Sequence, residues 1–116
     1  MNFLNSNRVL TALLLLLVTA CSTKPPIKAP TASDRFQSAA DSQAAVGDYE
    51  GAVDNYLRAA AVANDEERQG ILLQAAGSLM ELGETERART VMRRITLSHL
   101  TAMQRQHYDI LQAYVA

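Results

Sequence analysis

The amino-acid sequence predicts an all-α protein, in which antiparallel helical hairpins follow an amino-terminal export signal and a proline-containing tether. From residue 33 onward the chain is rich in Ala, Leu, Gln, Glu and Arg, contains no proline and shows no strand-like alternation. A glycine-centred pattern occurs twice, at an offset of 36 residues. The first 21 residues combine a polar start, an apolar run and the single cysteine of the chain.

The first 20 residues have the layout of a secretory signal. Residues 5–8 are polar with one basic side chain, residues 9–18 are almost wholly apolar, and Thr19 and Ala20 are the small residues that a signal peptidase requires. The apolar run is too short to cross a bilayer core, which takes about 20 residues of helix. We therefore predict that residues 1–20 are a signal peptide.

Cys21 closes the segment Val18-Thr19-Ala20-Cys21, which resembles the lipobox of bacterial lipoproteins. The resemblance implies that Cys21 is acylated and becomes the new amino terminus, held firmly to a membrane by three acyl chains. Acylation would also account for a lone thiol in an exported protein. By the sorting rule of Gram-negative lipoproteins, Ser22 at the next position implies the outer membrane. An ordinary signal, or a short anchor with an incidental cysteine, is the alternative.

The mature chain is predicted to be one small domain on a tether. All three prolines, Pro25, Pro26 and Pro30, lie between the cysteine and the first periodic segment, so residues 21–32 form the predicted tether. The helical domain then covers residues 33–116. The signal contains one of the 11 basic residues and none of the 12 acidic ones, which leaves the mature chain with a net charge of −2. This balance disfavours nucleic acid as a partner.

The repeated pattern consists of a glycine, an acidic residue, a Glu two positions later and then an alanine, with further apolar or small residues four and seven positions after that alanine. Its two copies begin at Gly47 and Gly83, and a third copy of the preceding helix begins near Tyr108. We predict that both glycines end helices in the left-handed conformation, where glycine is strongly preferred. Asp48, and then Glu84 or Thr85, are predicted to start the helices that follow.

A period near 34 residues, with small residues where helices cross, resembles the tetratricopeptide repeat. About two and a half repeats are predicted, in which Ala40, Ala52, Ala76 and Ala88 let paired helices approach closely. An unrelated antiparallel helical bundle with a chance glycine match is the alternative. The five predicted helices, with ends good to two or three residues, are Ser33–Val46, Tyr49–Ala63, Glu66–Leu82, Glu84–Ile95 and Thr101–Ala116.

The sequence shows no arrangement typical of an enzyme, a metal site or a cofactor site. His99 and His107 lie eight residues apart, and no carboxylate pair stands beside them at ligand spacing. The chain has neither a glycine-rich phosphate loop nor a serine in a nucleophile-elbow pattern. Packing between the repeats explains Tyr49 and Tyr56 better than stacking on a ligand does. We therefore predict a protein that is not an enzyme, with no cofactor and no metal.

Four arginines crowd the fourth predicted helix. They are Arg87, Arg89, Arg93 and Arg94. One interpretation is that they form a partner surface, a basic stripe that binds an acidic protein or an anionic glycan. The simpler interpretation is ion pairing with Glu81, Glu84 and Glu86 on a solvated helix surface. With either interpretation, a lipid-anchored helical repeat is typical of a binding or scaffolding protein, because such solenoids present concave surfaces to partners.

The mature chain resembles the amino-terminal part of LppC/LpoA-type lipoproteins, the outer-membrane activators of class A penicillin-binding proteins. This resemblance is carried by the lipobox, residues 88–96, Leu100-Thr101, Gln104-Arg105 and residues 108–113. Leu97 stands where those proteins have a proline soon after the repeat, so the turn departs from their pattern. The resemblance implies a periplasmic protein that binds and activates a class A penicillin-binding protein and so regulates peptidoglycan synthesis.

Members of that family are several times longer and carry a second, α/β domain that resembles periplasmic binding proteins. The sequence is therefore expected to be a fragment that lacks this domain. A different tetratricopeptide lipoprotein is the alternative, either a factor for outer-membrane protein assembly or a pilus or secretion pilotin.

The variant Cys21→Ser tests the lipobox. We expect it to lose acylation, and with it the membrane anchor, because serine does not provide the thiol that carries the lipid. The protein should then move from the membrane fraction to the soluble periplasm. Unchanged membrane fractionation would contradict the prediction.

Overall fold

The computed structural model describes residues 27–116, and in this part the chain is all-helical. Helix covers 78% of these residues, and no strand occurs among them. The signal peptide, Cys21 and residues 22–26 of the predicted tether lie outside the described residues. Between residues 27 and 116, no helix is both long enough and apolar enough to span a membrane. The elements are α1 (Ala32–Ala45), α2 (Tyr49–Val62), α3 (Asp65–Glu81), α4 (Thr85–Met92), a 3-10 turn (Leu97–His99) and α5 (Ala102–Val115).

All five predicted helices are present, and their ends fall within three residues of the prediction. The largest difference is at α4, which ends at Met92 because the next residues form turns. The N–H groups of Arg94 and Ile95 donate to carbonyls three residues earlier, not four. Connections of two or three residues join α1 through α4, and each of these helices packs on the next. Successive helices therefore run antiparallel.

The turns after α1 and α3 share one geometry. Gly47 and Gly83 are the only described residues with a positive φ, which is 81° at Gly47 and 72° at Gly83. After α1, the N–H of Gly47 donates to the carbonyl of Ala44 at 3.0 Å, and that of Asp48 donates to Gln43 at 2.9 Å. Equivalent bonds follow α3. This pair of bonds is a Schellman motif, which satisfies carbonyls at the helix end, and the predicted left-handed glycines are confirmed.

Side-chain caps fix most of the helix starts. Thr31 and Thr101 form capping boxes at α1 and α5, and the pattern Thr101-Ala102-Met103-Gln104 predicts the second of these from the sequence alone. The Asp48 carboxylate accepts the N–H of Gly51 at 3.0 Å, which confirms its predicted role at α2. Glu84 precedes α4 without a side-chain cap bond. Its carboxylate instead pairs with Arg87 one turn later, at 2.7 Å.

Helix α3 lies at the centre of the domain, where it packs against α2, α4 and α5. The alanines predicted at helix crossings, Ala40, Ala52, Ala76 and Ala88, are all 0% exposed. Their small side chains leave room for the larger core residues at the same crossings. On α3, residues over most of the circumference are buried, namely Gln69, Ile71, Leu72, Leu73, Ala75, Ala76, Ser78 and Leu79.

Two polar side chains near the start of α3 hold the adjoining connections. Arg68 donates from Nε to the carbonyl of Ala60 at 2.9 Å and from Nη2 to that of Ala63 at 2.8 Å. These bonds satisfy carbonyls at the end of α2 that have no partner within the helix. Gln69 is buried and accepts the N–H of Thr96 at 2.7 Å, which ties the segment after α4 to α3.

The variants Gly83→Ala and Gly77→Ala should change stability in opposite directions. An alanine at Gly83 would have to adopt a φ of 72°, which costs an L-residue about 1–2 kcal/mol. Gly77 lies inside α3, and a Cβ there would make an ordinary contact, 3.8 Å from the His107 ring. Alanine at Gly77 should therefore raise the free energy of unfolding by about 0.5–1 kcal/mol. Urea unfolding followed by circular dichroism measures the free energy of unfolding of both variants. A change of the same sign in the two variants would contradict the assigned turn geometry.

Candidate functional groove

A groove of about 580 Å³ lies between α1, α2, α3 and α5. Its volume falls in the range of pockets that hold small ligands or short peptide segments. Three of the four tyrosines in the chain line it, Tyr49 and Tyr56 from α2 and Tyr114 from α5. The groove is thus built by three consecutive helices, α1 to α3, together with α5, which follows only after α4 and the 3-10 turn.

The three tyrosines differ in how freely they can meet a ligand. Tyr56 is 3% exposed and donates its hydroxyl hydrogen to the carboxylate of Asp41 on α1. Tyr49 is half-buried, and Tyr114 is 73% exposed. Tyr56 therefore has the packing role predicted for it and also forms part of the groove wall. Tyr49 and Tyr114 leave ring surface accessible beside it.

Burial and the hydrogen bond to Asp41 raise the pKa of the Tyr56 hydroxyl far above its ordinary value. Burial acts because it disfavours the charged phenolate, and the neighbouring carboxylate adds repulsion of the same sign. Tyr56 therefore stays protonated and remains a hydrogen-bond donor across the physiological pH range. The bond joins α1 to α2 at the groove.

Helix α3 supplies the polar side of the groove through Gln74, Ser78 and Glu81. Glu81 is exposed and forms no ion pair with any residue between 27 and 116, although pairing with an arginine was predicted for it. Gly77 lies between these residues, and a Cβ there would come within 3.8 Å of the His107 ring. The absence of a side chain at Gly77 therefore keeps the groove open beside His107.

The two histidines lie in different places. His107 of α5 lines the groove, whereas His99 is exposed in the 3-10 turn. Ser78 and His107 both line the groove, but no hydrogen bond joins them. Within residues 27–116, no group of three or more His, Cys, Asp or Glu side chains is placed to hold a metal ion.

The structure divides the four arginines of the predicted partner surface into two pairs. Arg87 and Arg89 form ion pairs with glutamates one turn away, Glu84 and Glu86, as the simpler interpretation expected. Arg93 and Arg94 are exposed and form no ion pair with the other described residues. None of the four lines the groove. A partner surface at Arg93 and Arg94 stays a prediction.

Arg89 has a second role that its sequence position does not reveal. Its Nε donates to the main-chain carbonyl of Val115 at 3.0 Å, and Nη2 donates to the same oxygen. That oxygen lies at the end of α5, where helix carbonyls lack partners within the helix. Arg89 therefore joins α4 to the end of α5, next to Tyr114 of the groove.

An exposed apolar stripe on α5 adjoins the groove. Met103, Ile110 and Tyr114 are 81%, 51% and 73% exposed. Their spacings of seven and four residues place them on one side of the helix. His107 falls on the same side, so the stripe is continuous with the groove. Exposed apolar surface of this kind is typical of an interaction site.

No known protein family, curated protein or solved structure matches this chain. The resemblance to activators of penicillin-binding proteins therefore stays a prediction.

The variant Tyr56→Phe tests the hydrogen bond to Asp41. At pH 7 it should be less stable by roughly 1 kcal/mol, because Asp41 loses its donor. The pKa of this hydroxyl is raised in the folded state, so Tyr56 stabilises the fold below its unfolded pKa of 10.0, and this stabilisation is lost as the pH rises further. The variant should therefore lose less stability than the wild type above pH 10.

Urea unfolding between pH 7 and pH 11 measures this difference. Tyr114→Phe is the matched control, since it removes the hydroxyl of a largely exposed tyrosine. If the wild type and Tyr56→Phe lose equal stability above pH 10, the hydrogen bond to Asp41 is contradicted.

Proposed function

We propose that this protein is a lipid-anchored scaffold of the outer membrane that faces the periplasm and binds a partner protein in the groove between α1, α2, α3 and α5. The observation that carries the proposal is the groove itself, in which aromatic, amide and carboxylate side chains converge from α2, α3 and α5 beside Ala44 of α1. The proposal assigns no catalytic residue, because binding alone accounts for the convergence.

The proposal takes the hairpins to be tetratricopeptide-like repeats. In support, α1 and α3 end in the same Schellman motif, 36 residues apart, and each is followed by a helix with a buried alanine at the equivalent position. Helix α5 packs on α3 and α4, as the first helix of a third repeat would. The first helices of the three repeats all contribute to the groove. Repeats of this kind present an extended concave surface to their partners.

The lipid anchor and the class of partner in this proposal are inferred from the sequence. Acyl chains on Cys21 would hold the protein to the outer membrane, with the proline-containing tether between lipid and domain. The partner predicted by resemblance is a class A penicillin-binding protein, whose synthesis of peptidoglycan the scaffold would stimulate. The exposed apolar stripe of α5 supports a protein partner, since it extends the groove beyond the size of a small ligand.

Titration of the purified lipoprotein, in detergent micelles, with a purified class A penicillin-binding protein tests the proposal. Binding is measured by biolayer interferometry, and stimulation by the rate of glycan polymerisation. The variant Tyr114→Ala should weaken binding about tenfold, because exposed aromatic side chains are frequent hot spots of interfaces. The fold should tolerate this change, since Tyr114 is largely exposed.

Arg93→Ala is the matched control, because Arg93 is exposed directly after α4 and outside the groove. It should leave the affinity unchanged. If Arg93→Ala weakens binding and Tyr114→Ala does not, the arginine surface and not the groove binds the partner. If the wild-type protein does not bind the synthase, the predicted partner is wrong.

A further inference from the structure

We propose that the groove recognises an arginine side chain in an extended segment of its partner. This inference rests on the proposed function and specifies the chemistry of the ligand that the groove accepts. It depends on the charge of the lining residues, on the tyrosines and on the free carboxylate of Glu81.

The charges at the groove favour a cationic ligand. Among residues 27–116, Glu81 is the one lining residue with a carboxylate, and no Lys or Arg of this part lines the groove. A second carboxylate, that of Asp41, lies directly behind the wall because it accepts the Tyr56 hydroxyl. His107 is the one lining residue of a basic type in the part of the chain that the structure describes. A basic side chain entering the groove would therefore meet the Glu81 carboxylate, with the negative charge of Asp41 on the far side of the Tyr56 hydroxyl.

The carboxylate of Glu81 is available for such a ligand. Five arginines between residues 27 and 116 form ion pairs, and each of them pairs with an acidic residue other than Glu81. Glu81 is exposed at the end of α3. Binding a cation at Glu81 therefore requires no existing ion pair to break.

The tyrosines add a preference for a planar cation. A cation over the face of an aromatic ring gains about 0.5–2 kcal/mol, depending on how far it is removed from water. The guanidinium group of arginine can stack on a ring and donate two parallel hydrogen bonds to a carboxylate, whereas the lysine ammonium acts as a point charge. Tyr49, Tyr114 and Glu81 provide both kinds of contact in one groove. Arginine therefore fits the lining better than lysine.

The volume and polarity of the groove indicate how the rest of the ligand is held. A groove of about 580 Å³ exceeds what one side chain fills, so it has room for neighbouring backbone. Gln74 can both donate and accept hydrogen bonds, which suits a peptide group. Leu111 and Met80 provide apolar surface beside it. The predicted ligand is a short extended segment with one arginine flanked by small or apolar residues.

Fluorescence anisotropy with labelled pentapeptides tests the inference on the full mature lipoprotein in detergent. The probe is acetyl-Gly-Ala-Arg-Ala-Gly, and its matched control carries citrulline, which has the shape of arginine without the charge. We expect the arginine peptide to bind about tenfold more tightly than the citrulline peptide, as one charge-assisted contact is worth about that factor. A lysine peptide should bind with intermediate affinity.

Two protein variants locate the site. Glu81→Gln should remove most of the difference between the arginine and citrulline peptides, because it removes the carboxylate and keeps the shape of the side chain. Glu50→Gln makes the same charge change at an exposed position outside the groove and should keep the difference. Both positions are exposed, so both variants are expected to fold.

Each contrary outcome has a distinct meaning. Equal affinity for the arginine and citrulline peptides overturns the inference and leaves the scaffold function intact. A lysine peptide that binds as tightly as the arginine peptide overturns the choice of arginine. Failure of every peptide to bind also overturns the inference, whereas the titration with the penicillin-binding protein decides the proposed function separately.

Discussion

The close packing of α3 against α2, α4 and α5 is the constraint on which the rest of the structure depends. Small side chains at the helix crossings, such as Ala76 on α3 and Ala88 on α4, are fully buried, so the helix axes can approach closely. Because α3 is covered on most of its circumference, it sets the positions of all its neighbours. The groove exists where α3 remains uncovered, at Gly77 and Glu81.

Polar contacts then set the position of each helix along its neighbour. The glycine turns fix where α1 and α3 end, and Arg68 holds the end of α2 through two carbonyls. Gln69 ties the segment after α4 to α3, and Arg89 holds the end of α5. Each of these contacts involves a main-chain atom of the segment that it holds, and main-chain atoms keep their positions better than exposed side chains do. A ligand in the groove would therefore meet walls that are already ordered, which lowers the entropy cost of binding.

Local chemistry was predictable from the sequence, and contacts between distant residues were not. The left-handed Gly47 and the capping box at Thr101 follow from residue preferences within a few positions, and the structure confirms both. The contact of Arg89 with the end of α5 spans 26 residues and leaves no periodic signal. The position of Glu81 in the sequence predicts an ion pair with an arginine on the surface. In the structure Glu81 lines the groove and forms no ion pair with the described arginines. Helix boundaries depend on near neighbours, whereas the groove depends on how the helices pack.

The central claim is that the groove binds an arginine-containing segment of the partner, and mapping of the bound peptide by NMR tests it most directly. The ¹⁵N-labelled protein is titrated with the arginine pentapeptide, and the amide shifts are followed along the chain. The largest shifts should fall at Tyr49, Gly77, Glu81 and Tyr114, with α4 largely unchanged. Saturable shifts centred on Arg93 and its neighbours, with the groove amides unmoved, would contradict the account.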